Sequence, residues 1–455
     1  MTRPHFRRRA ARAAVLAALG LHLVAAHSFD LLDAFGQALH QDPTQRAAVA
    51  AREAGREKAV QGDSLLLPQV QLLAGVQRVN LHTSDQVPAP LNGLLSGSGT
   101  GTTNQATLQL VQPVVNAAAR ATRQQLHEES TLAQTRYDQA RQELILRVTD
   151  AYVGVLLADE TLRVTLTEKS AVGLQRDRAQ ARFDVGRGQS VDLQEAQARY
   201  DDVLTRELAA RNDVQLKRAQ FQEIVGAAPE GLASLSSTFV ALPPEPNDLA
   251  AWQSIGESHS TDVLTRRSLL AIAESEVDKN RLSSRPTLDF VASIGHQGQN
   301  GGLPRTVSAD NSRTTAVGLQ LTVPLYAGGR LDSQSRESQA RREQAQDELD
   351  AARRDTRIAI EDAFLATGHG VAQIRSLEQS LRSARTALEA TTAGRDVGTR
   401  TEVEVLDAQT RSFAVERQLV EARLRYVLDR VRLSAAAGEL VDSDVAAVNS
   451  WLASR

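Results

Sequence analysis

Two carboxylates, Glu404 and Asp407, stand three residues apart near the end of the chain. On a helix that spacing puts both on one face. A pair of this kind serves either as an acid–base couple or as part of a charged ring. The first use needs a pocket and a partner base, and the sequence supplies neither. The nine histidines are dispersed: His22 and His27 lie near the N-terminus, and His259, His296 and His369 fall far apart. No metal-ligand spacing or nucleophile motif emerges, so no catalytic residue, metal or cofactor is expected and the chain does not read as an enzyme. His369, flanked by Gly368 and Gly370, reads as a helix irregularity. The run Ser96-Gly97-Ser98-Gly99-Thr100-Gly101 lacks the Lys-Ser/Thr ending of a phosphate loop and reads as a flexible loop.

The acidic pair belongs to Val397-Gly398-Thr399-Arg400-Thr401-Glu402-Val403-Glu404-Val405-Leu406-Asp407-Ala408-Gln409. A weaker copy, Val185-Gly186 through Gln197, aligns with it without a gap 212 residues earlier. In each copy a Val-Gly pair interrupts a long helical pattern and an acidic helix restarts a few residues later. Glycine supplies the left-handed backbone angles that end a helix, so each copy reads as a tight turn between antiparallel helices.

Four long helices must carry the turns: about Asn116 to Asp184 and Val191 to Val225, then Leu331 to Arg395 and Thr401 to Ala437. A span near 70 residues is roughly 100 Å long at about 1.5 Å per residue. Ahead of each long helix the period changes from helical to two. Val70, Leu72, Ala74 and Val76 alternate with glutamines, and so do Leu108 and Leu110. Leu288, Phe290, Ala292 and Ile294, and then Val317, Leu319, Leu321 and Val323, alternate with polar residues. Strands are expected at about 68–81, 104–113, 286–296 and 314–324, joined by polar Gly-rich loops over 82–103 and 295–312. Shorter helices precede each hairpin: Phe29 to Leu39, Thr44 to Ser64, and Thr261 to Arg281. The plan repeats as 27–247 and 248–455, with the boundary at the Leu242-Pro243-Pro244-Glu245-Pro246 linker. Asp150-Ala151-Tyr152 and Asp362-Ala363-Phe364 keep the 212 spacing, whereas Pro113 and Pro324 are one residue off it.

Residues 1–26 read as a cleaved secretory signal. Arg3, Arg7, Arg8, Arg9 and Arg12 precede an apolar run from Ala13 to Ala25, and Val24-Ala25-Ala26 supplies the small residues of a cleavage site. Without those five arginines the formal charge moves from −3 to −8, and no basic patch with interleaved aromatics suggests a nucleic-acid partner. The chain has no cysteine, hence no disulfide framework and no residue for a bacterial lipid anchor. Aromatics are only 4%, which favours long, narrow helical packing over a thick core.

The four strands have one apolar and one polar face and are long enough to cross a membrane at a tilt. Four cannot close a barrel, so several chains must share one: two chains give eight strands, and three give twelve with room for a lumen. A periplasmic coiled-coil scaffold is the reading of another class, and it has no use for such strands.

The chain resembles the TolC family of outer-membrane channels. The likeness rests on Val397-Gly398-Thr399-Arg400-Thr401 with Val405-Leu406-Asp407-Ala408, on Arg182-Phe183-Asp184-Val185-Gly186 with Asp192, on Pro113 and Pro324, and on the duplicated plan. The resemblance implies a mainly α fold with a small β part. Long antiparallel α-helical hairpins form a periplasmic tunnel, and four transmembrane β-strands per chain build the twelve-stranded barrel of a homotrimer. It implies a passive exit duct in outer-membrane lipid, most like the type I secretion branch, docked through its Gly186 and Gly398 tips. The partners are a periplasmic membrane-fusion adaptor and an inner-membrane ABC transporter; a proton-driven pump for small molecules is the alternative. By resemblance Glu404 and Asp407 occupy the acidic aperture rings, where crowding in a trimer raises some carboxylate pKa values. Also by resemblance, Arg395 and Arg400 clamp one helix pair to the other against Asp192 and Val191, with an Arg395–Asp192 ion pair expected.

Overall fold

The computed structural model describes residues 29–82, 99–229, 231–236, 238–301 and 311–453. The signal-sequence reading of residues 1–26 lies outside them. The chain order is α1 (Leu31–Gln41), α2 (Pro43–Ser64), β1 (Gln69–Leu81), β2 (Gly99–Val115), α3 (Ala117–Asp184), α4 (Ser190–Val225) and β3 (Ser234–Leu235). It continues with α5 (Leu249–His259), α6 (Thr261–Leu282), β4 (Thr287–Gly301), β5 (Asn311–Thr322), α7 (Arg330–Asp396), α8 (Glu402–Ala437), α9 (Asp442–Asn449) and β6 (Leu452–Ala453).

Local chemistry sets the helix starts. Asp30, Asp42 and Asn116 each accept a backbone N–H from three residues on, at 2.8 Å, which satisfies an otherwise orphaned donor of α1, α2 and α3. Pro43 opens α2, where its missing N–H costs nothing. The two hairpins α3–α4 and α7–α8 carry the length: 68 and 36 residues, then 67 and 36. Among the described residues no helix is long and apolar enough to cross a membrane. The α7 helix runs unbroken through His369, contrary to the irregularity expected there. Gly370 instead leaves room for a ring, since a Cβ there would come within 3.3 Å of Tyr426.

The main core is a thick plug midway along α3, at the ends of α4 and α8 that lie away from the turns. Leu31 and Phe35 of α1 meet Ile145, Val148 and Tyr152 of α3, Phe221 and Val225 of α4, and Leu424, Val427 and Val431 of α8. The Tyr152 hydroxyl donates to the Ala233 carbonyl at 2.8 Å, and burial, its leading cause, pushes the phenol above its ordinary pKa. A second cluster stacks Phe239, Tyr426 and Trp451 beside α7 and α8. Toward the turns the packing thins to single seams such as Leu406 among Val172, Ala179, Ala196 and Val203.

The larger sheet is fully antiparallel in the order β1-β2-β4-β5. Its register sorts the faces, because residues paired directly across strands share a side. Val70, Leu110, Ala292 and Val317 form one row; Leu72, Leu108, Ile294 and Thr315 form the next. The opposite face carries Gln71, Gln109 and Ser293, with Gln71 bonded to Gln109 at 2.9 Å. The apolar face is bare: Val76 is 75% exposed and Val317 69%.

The strands outrun the expected ends. β2 starts at Gly99 and β4 reaches Gly301, inside stretches that composition marks as loops. Small residues there permit close pairing: Gly101 faces Gly301, and Gly298 lies between the side chains of Asn104 and Asn311. At the helix end β2 passes Pro113 by a register shift between Pro113 and Val115, since proline has no N–H for the ladder.

Candidate functional site

The two Val-Gly turns have the same backbone. The Gly186 N–H donates to the Phe183 carbonyl at 2.9 Å and the Arg187 N–H to the Arg182 carbonyl at 2.8 Å. In the second turn the Gly398 N–H donates to the Arg395 carbonyl at 3.0 Å and the Thr399 N–H to the Gly394 carbonyl at 2.8 Å. Both are Schellman closures with glycine in the left-handed region, at φ of 71° and 78°. They differ in how the next helix starts. Thr401 and Glu404 form a capping box on α8, while Gln189 gives α4 no side-chain cap. That difference is the physical content of the weaker copy in the sequence.

Glu404 is held by its own turn. Its carboxylate accepts the Thr401 N–H at 2.7 Å, the Thr401 hydroxyl at 3.0 Å and the Arg400 guanidinium at 2.6 Å. The Thr401 N–H, then Arg400, pull its pKa from 4.5 to about 2. Within one protomer local donors thus stabilise the charged form of Glu404, whereas the expected rise concerns carboxylates crowded in the trimer ring. Asp407 is half exposed and accepts from Arg199 of α4 at 2.8 Å.

The expected Arg395–Asp192 pair does not form. Arg395 lies buried against its own turn, with Nη1 3.3 Å from Glu402 and 3.3 Å from Gln175 of α3, and Nη2 2.6 Å from Asp396. Glu402 is only 4% exposed, and its second oxygen accepts from Arg182 of α3 at 3.0 Å. The charged contact between the hairpins is thus Arg395–Glu402–Arg182, with Glu402 at the place expected of Asp192. Arg400 turns to Glu404 and does not reach Asp192. Asp192 has no cationic partner among the described residues, and Val191 is exposed. Farther from the turns, Glu168 of α3 is fully buried and takes two bonds from Arg206 of α4, at 2.8 and 3.0 Å, and one from Arg417 of α8 at 2.7 Å.

Arg182, Glu402, Arg199, Glu168 and Arg417 escape a reading of the sequence. Glu402 looks like an ordinary acid in a helix's first turn, and only the packing of α8 on α3 and α4 gives it cross-hairpin partners. Near the turns these contacts tie α8 to α3 and α4 by ion pairs around the single Leu406 cluster, whereas farther along the same helices meet in the apolar core.

The profile of the family described as outer membrane efflux protein matches residues 34–227 and 257–439. The chain belongs to that family. Among curated relatives, outer membrane protein TolC of Vibrio cholerae serotype O1 is 30% identical over 96% of this chain and 97% of that protein. The alkaline protease secretion protein AprF of Pseudomonas aeruginosa is 28% identical over 92% of this chain and 86% of that protein. Among solved structures, outer membrane protein VceC from Vibrio cholerae superposes with a TM-score of 0.75 at 20% identity, covering 90% of this chain and 96% of that one. This outer membrane efflux protein is accordingly a TolC-family channel subunit of the Gram-negative outer membrane, with its helical part in the periplasm. Its fold class is the mainly helical one with a small β part.

Two outcomes test the clamp. Replacing Glu402→Gln removes the shared acid and leaves Arg182 and Arg395 facing each other, a loss on the order of 2–3 kcal/mol at the contact. Amide exchange at residues 394–404 then accelerates at least about tenfold, by the factor of ten per 1.4 kcal/mol, while Asp192→Asn leaves it unchanged. The depressed pKa of Glu404 makes the capping box a source of stability above about pH 4.5 that disappears as pH falls through about 2. Protection of the Thr401 amide, which donates to the Glu404 carboxylate, followed by exchange from pH 5 down to 2, should fall over that window in the parent and be lost throughout in Glu404→Ala.

Proposed function

We propose that three copies of this chain close one twelve-stranded barrel and one helical tunnel, forming the passive exit duct of a tripartite export system. In this reading the duct catalyses nothing and carries no cofactor; an inner-membrane ABC transporter supplies the energy and a periplasmic membrane-fusion adaptor meets the Gly186 and Gly398 tips.

The observation that carries the reading is a mismatch of burial between the two repeats. At the 212-residue spacing, Leu146 and Val153 of α3 correspond to Ile358 and Leu365 of α7. The α3 pair packs on the core shared with α8, but the α7 pair is 66% and 59% exposed. Likewise Val420 and Leu428 of α8 pack on that core, while their α4 counterparts Leu208 and Leu216 are exposed. The Glu168–Arg417 contact corresponds to Ser380 and Thr205, both exposed. Helix α3 packs on α6 and α8 of the other repeat, whereas α7 makes no comparable contact with α2 or α4 among the described residues. A neighbouring copy that brings its α4 to α7 repeats the internal contact and covers both apolar pairs. The contact is head-to-tail, the kind that builds a ring when its rotation closes, and the unpaired sheet edges require closure. Strand parity agrees, since β5 of one copy next to β1 of the following copy continues the antiparallel order. Twelve strands leave a lumen and eight do not.

Type I protein secretion is favoured over small-molecule efflux by the likeness to AprF, whose name specifies protease secretion and which matches over most of both chains. The scaffold reading leaves the bare apolar sheet face unexplained.

The chain lacks cysteine, so Ser380→Cys with Thr205→Cys gives a clean crosslinking pair. A short bifunctional maleimide applied to membranes should give bands of one, two and three copies and nothing higher. Absence of multi-copy bands, or a ladder beyond three, sinks the ring. Deleting the chain from its host should abolish secretion of a polypeptide and leave tolerance of small toxic compounds unchanged; the opposite pattern assigns the duct to drug efflux.

A further inference from the structure

Ionisable side chains are scarce on the four long strands, and their placement is one-sided. Within the described strand residues there are four: Arg78 on β1, Asp289 and His296 on β4, and Arg313 on β5. The register puts His296 in one row with Ala74, Ala106 and Arg313, the row beyond Leu72, Leu108, Ile294 and Thr315. Arg78 lies two residues beyond Val76 on the same face. The three basic residues therefore share the apolar face, at the end of the strands away from the helices. Asp289, the single acid, is on the opposite face near the helix end, paired across to Gln320.

All three basic side chains are exposed, and among the described residues neither arginine has a carboxylate partner. Arg313 and His296 sit directly opposite each other across β5 and β4, so a guanidinium stands beside an imidazole that can also donate a hydrogen bond to an anion. On this face Arg78 is the next side chain outward from Val76 on β1, and Arg313 lies outward of Val317 on β5 with Thr315 between them, so both arginines stand toward the outer end of the face. In the proposed ring, β5 of one copy adjoins β1 of the next, which brings the two arginine positions to the same seam.

We propose that Arg78 and Arg313, with His296, form a basic girdle that binds phosphate-bearing lipid headgroups of the outer leaflet. The inference rests on the barrel reading, which turns this face to lipid. Three features fit that ligand together: the groups share the apolar face, they lie toward its outer end, and no acid stands among them on that face. A cationic side chain near an anionic lipid surface contributes roughly 1 kcal/mol, about a fivefold change in affinity per arginine.

The test uses the full-length oligomer in phosphatidylcholine vesicles, with and without a tenth of diphosphorylated lipid A. Native mass spectrometry after release counts the lipid A retained per oligomer. The parent should retain it and Arg78→Gln with Arg313→Gln should lose it by about tenfold or more, at roughly fivefold per arginine. Arg78→Lys with Arg313→Lys should keep most of it. Excess inorganic phosphate should displace it only weakly, because the apolar face holds the acyl chains. Equal retention by the parent and the Gln variant overturns the girdle. Failure of both to insert into plain phosphatidylcholine overturns the barrel reading beneath it, an outcome that the lipid A count does not enter.

Discussion

The decisive constraint is that a sheet edge in hydrocarbon cannot stay unpaired. Each N–H or C=O left without a partner there costs several kcal/mol, and water is absent to relieve it. This protomer offers four strands with β1 and β5 as open edges and a bare apolar face. One copy alone cannot satisfy those edges in the outer membrane. The demand for neighbours then propagates into the helices, where the exposed pairs on α7 and α4 mirror the buried pairs on α3 and α8. Sheet edge and helix face, read independently, ask for the same partner.

The tip shows how charge is used in place of bulk. Near the turns the packing between hairpins is a single Leu406 cluster flanked by ion pairs. Burying Arg395 and Glu402 together, with half-exposed Arg182 alongside, brings little net stability, because desolvation offsets most of the attraction. What such a contact supplies is register between the hairpins. The hairpins themselves are held by the thick plug around Tyr152 and Phe221, midway along α3 and at the end of α4 away from the turn.

Much of this plan is legible in the residues. The Val-Gly pairs mark both turns because glycine alone takes a left-handed angle without strain. Period-two alternation marks all four strands. Their outer ends escape notice because Gly, Asn and Thr make loops and tight strand pairs equally well, and only the partner at Gly301 or Asn104 decides between them. The clamp is half legible. Arg395 is found from the motif, yet its acid is missed, since nothing in Glu402's neighbourhood announces that α3 passes beside it. Asp192 has the right charge and the wrong place.

The copy number of the assembled channel bears on all of this most directly. Native mass spectrometry of the intact assembly, released from outer membranes in mild detergent, counts the chains without any substitution. The account predicts three copies and the loss of every smaller species under conditions that keep the helices folded. A stable folded monomer, or an assembly of two or four copies, would contradict it.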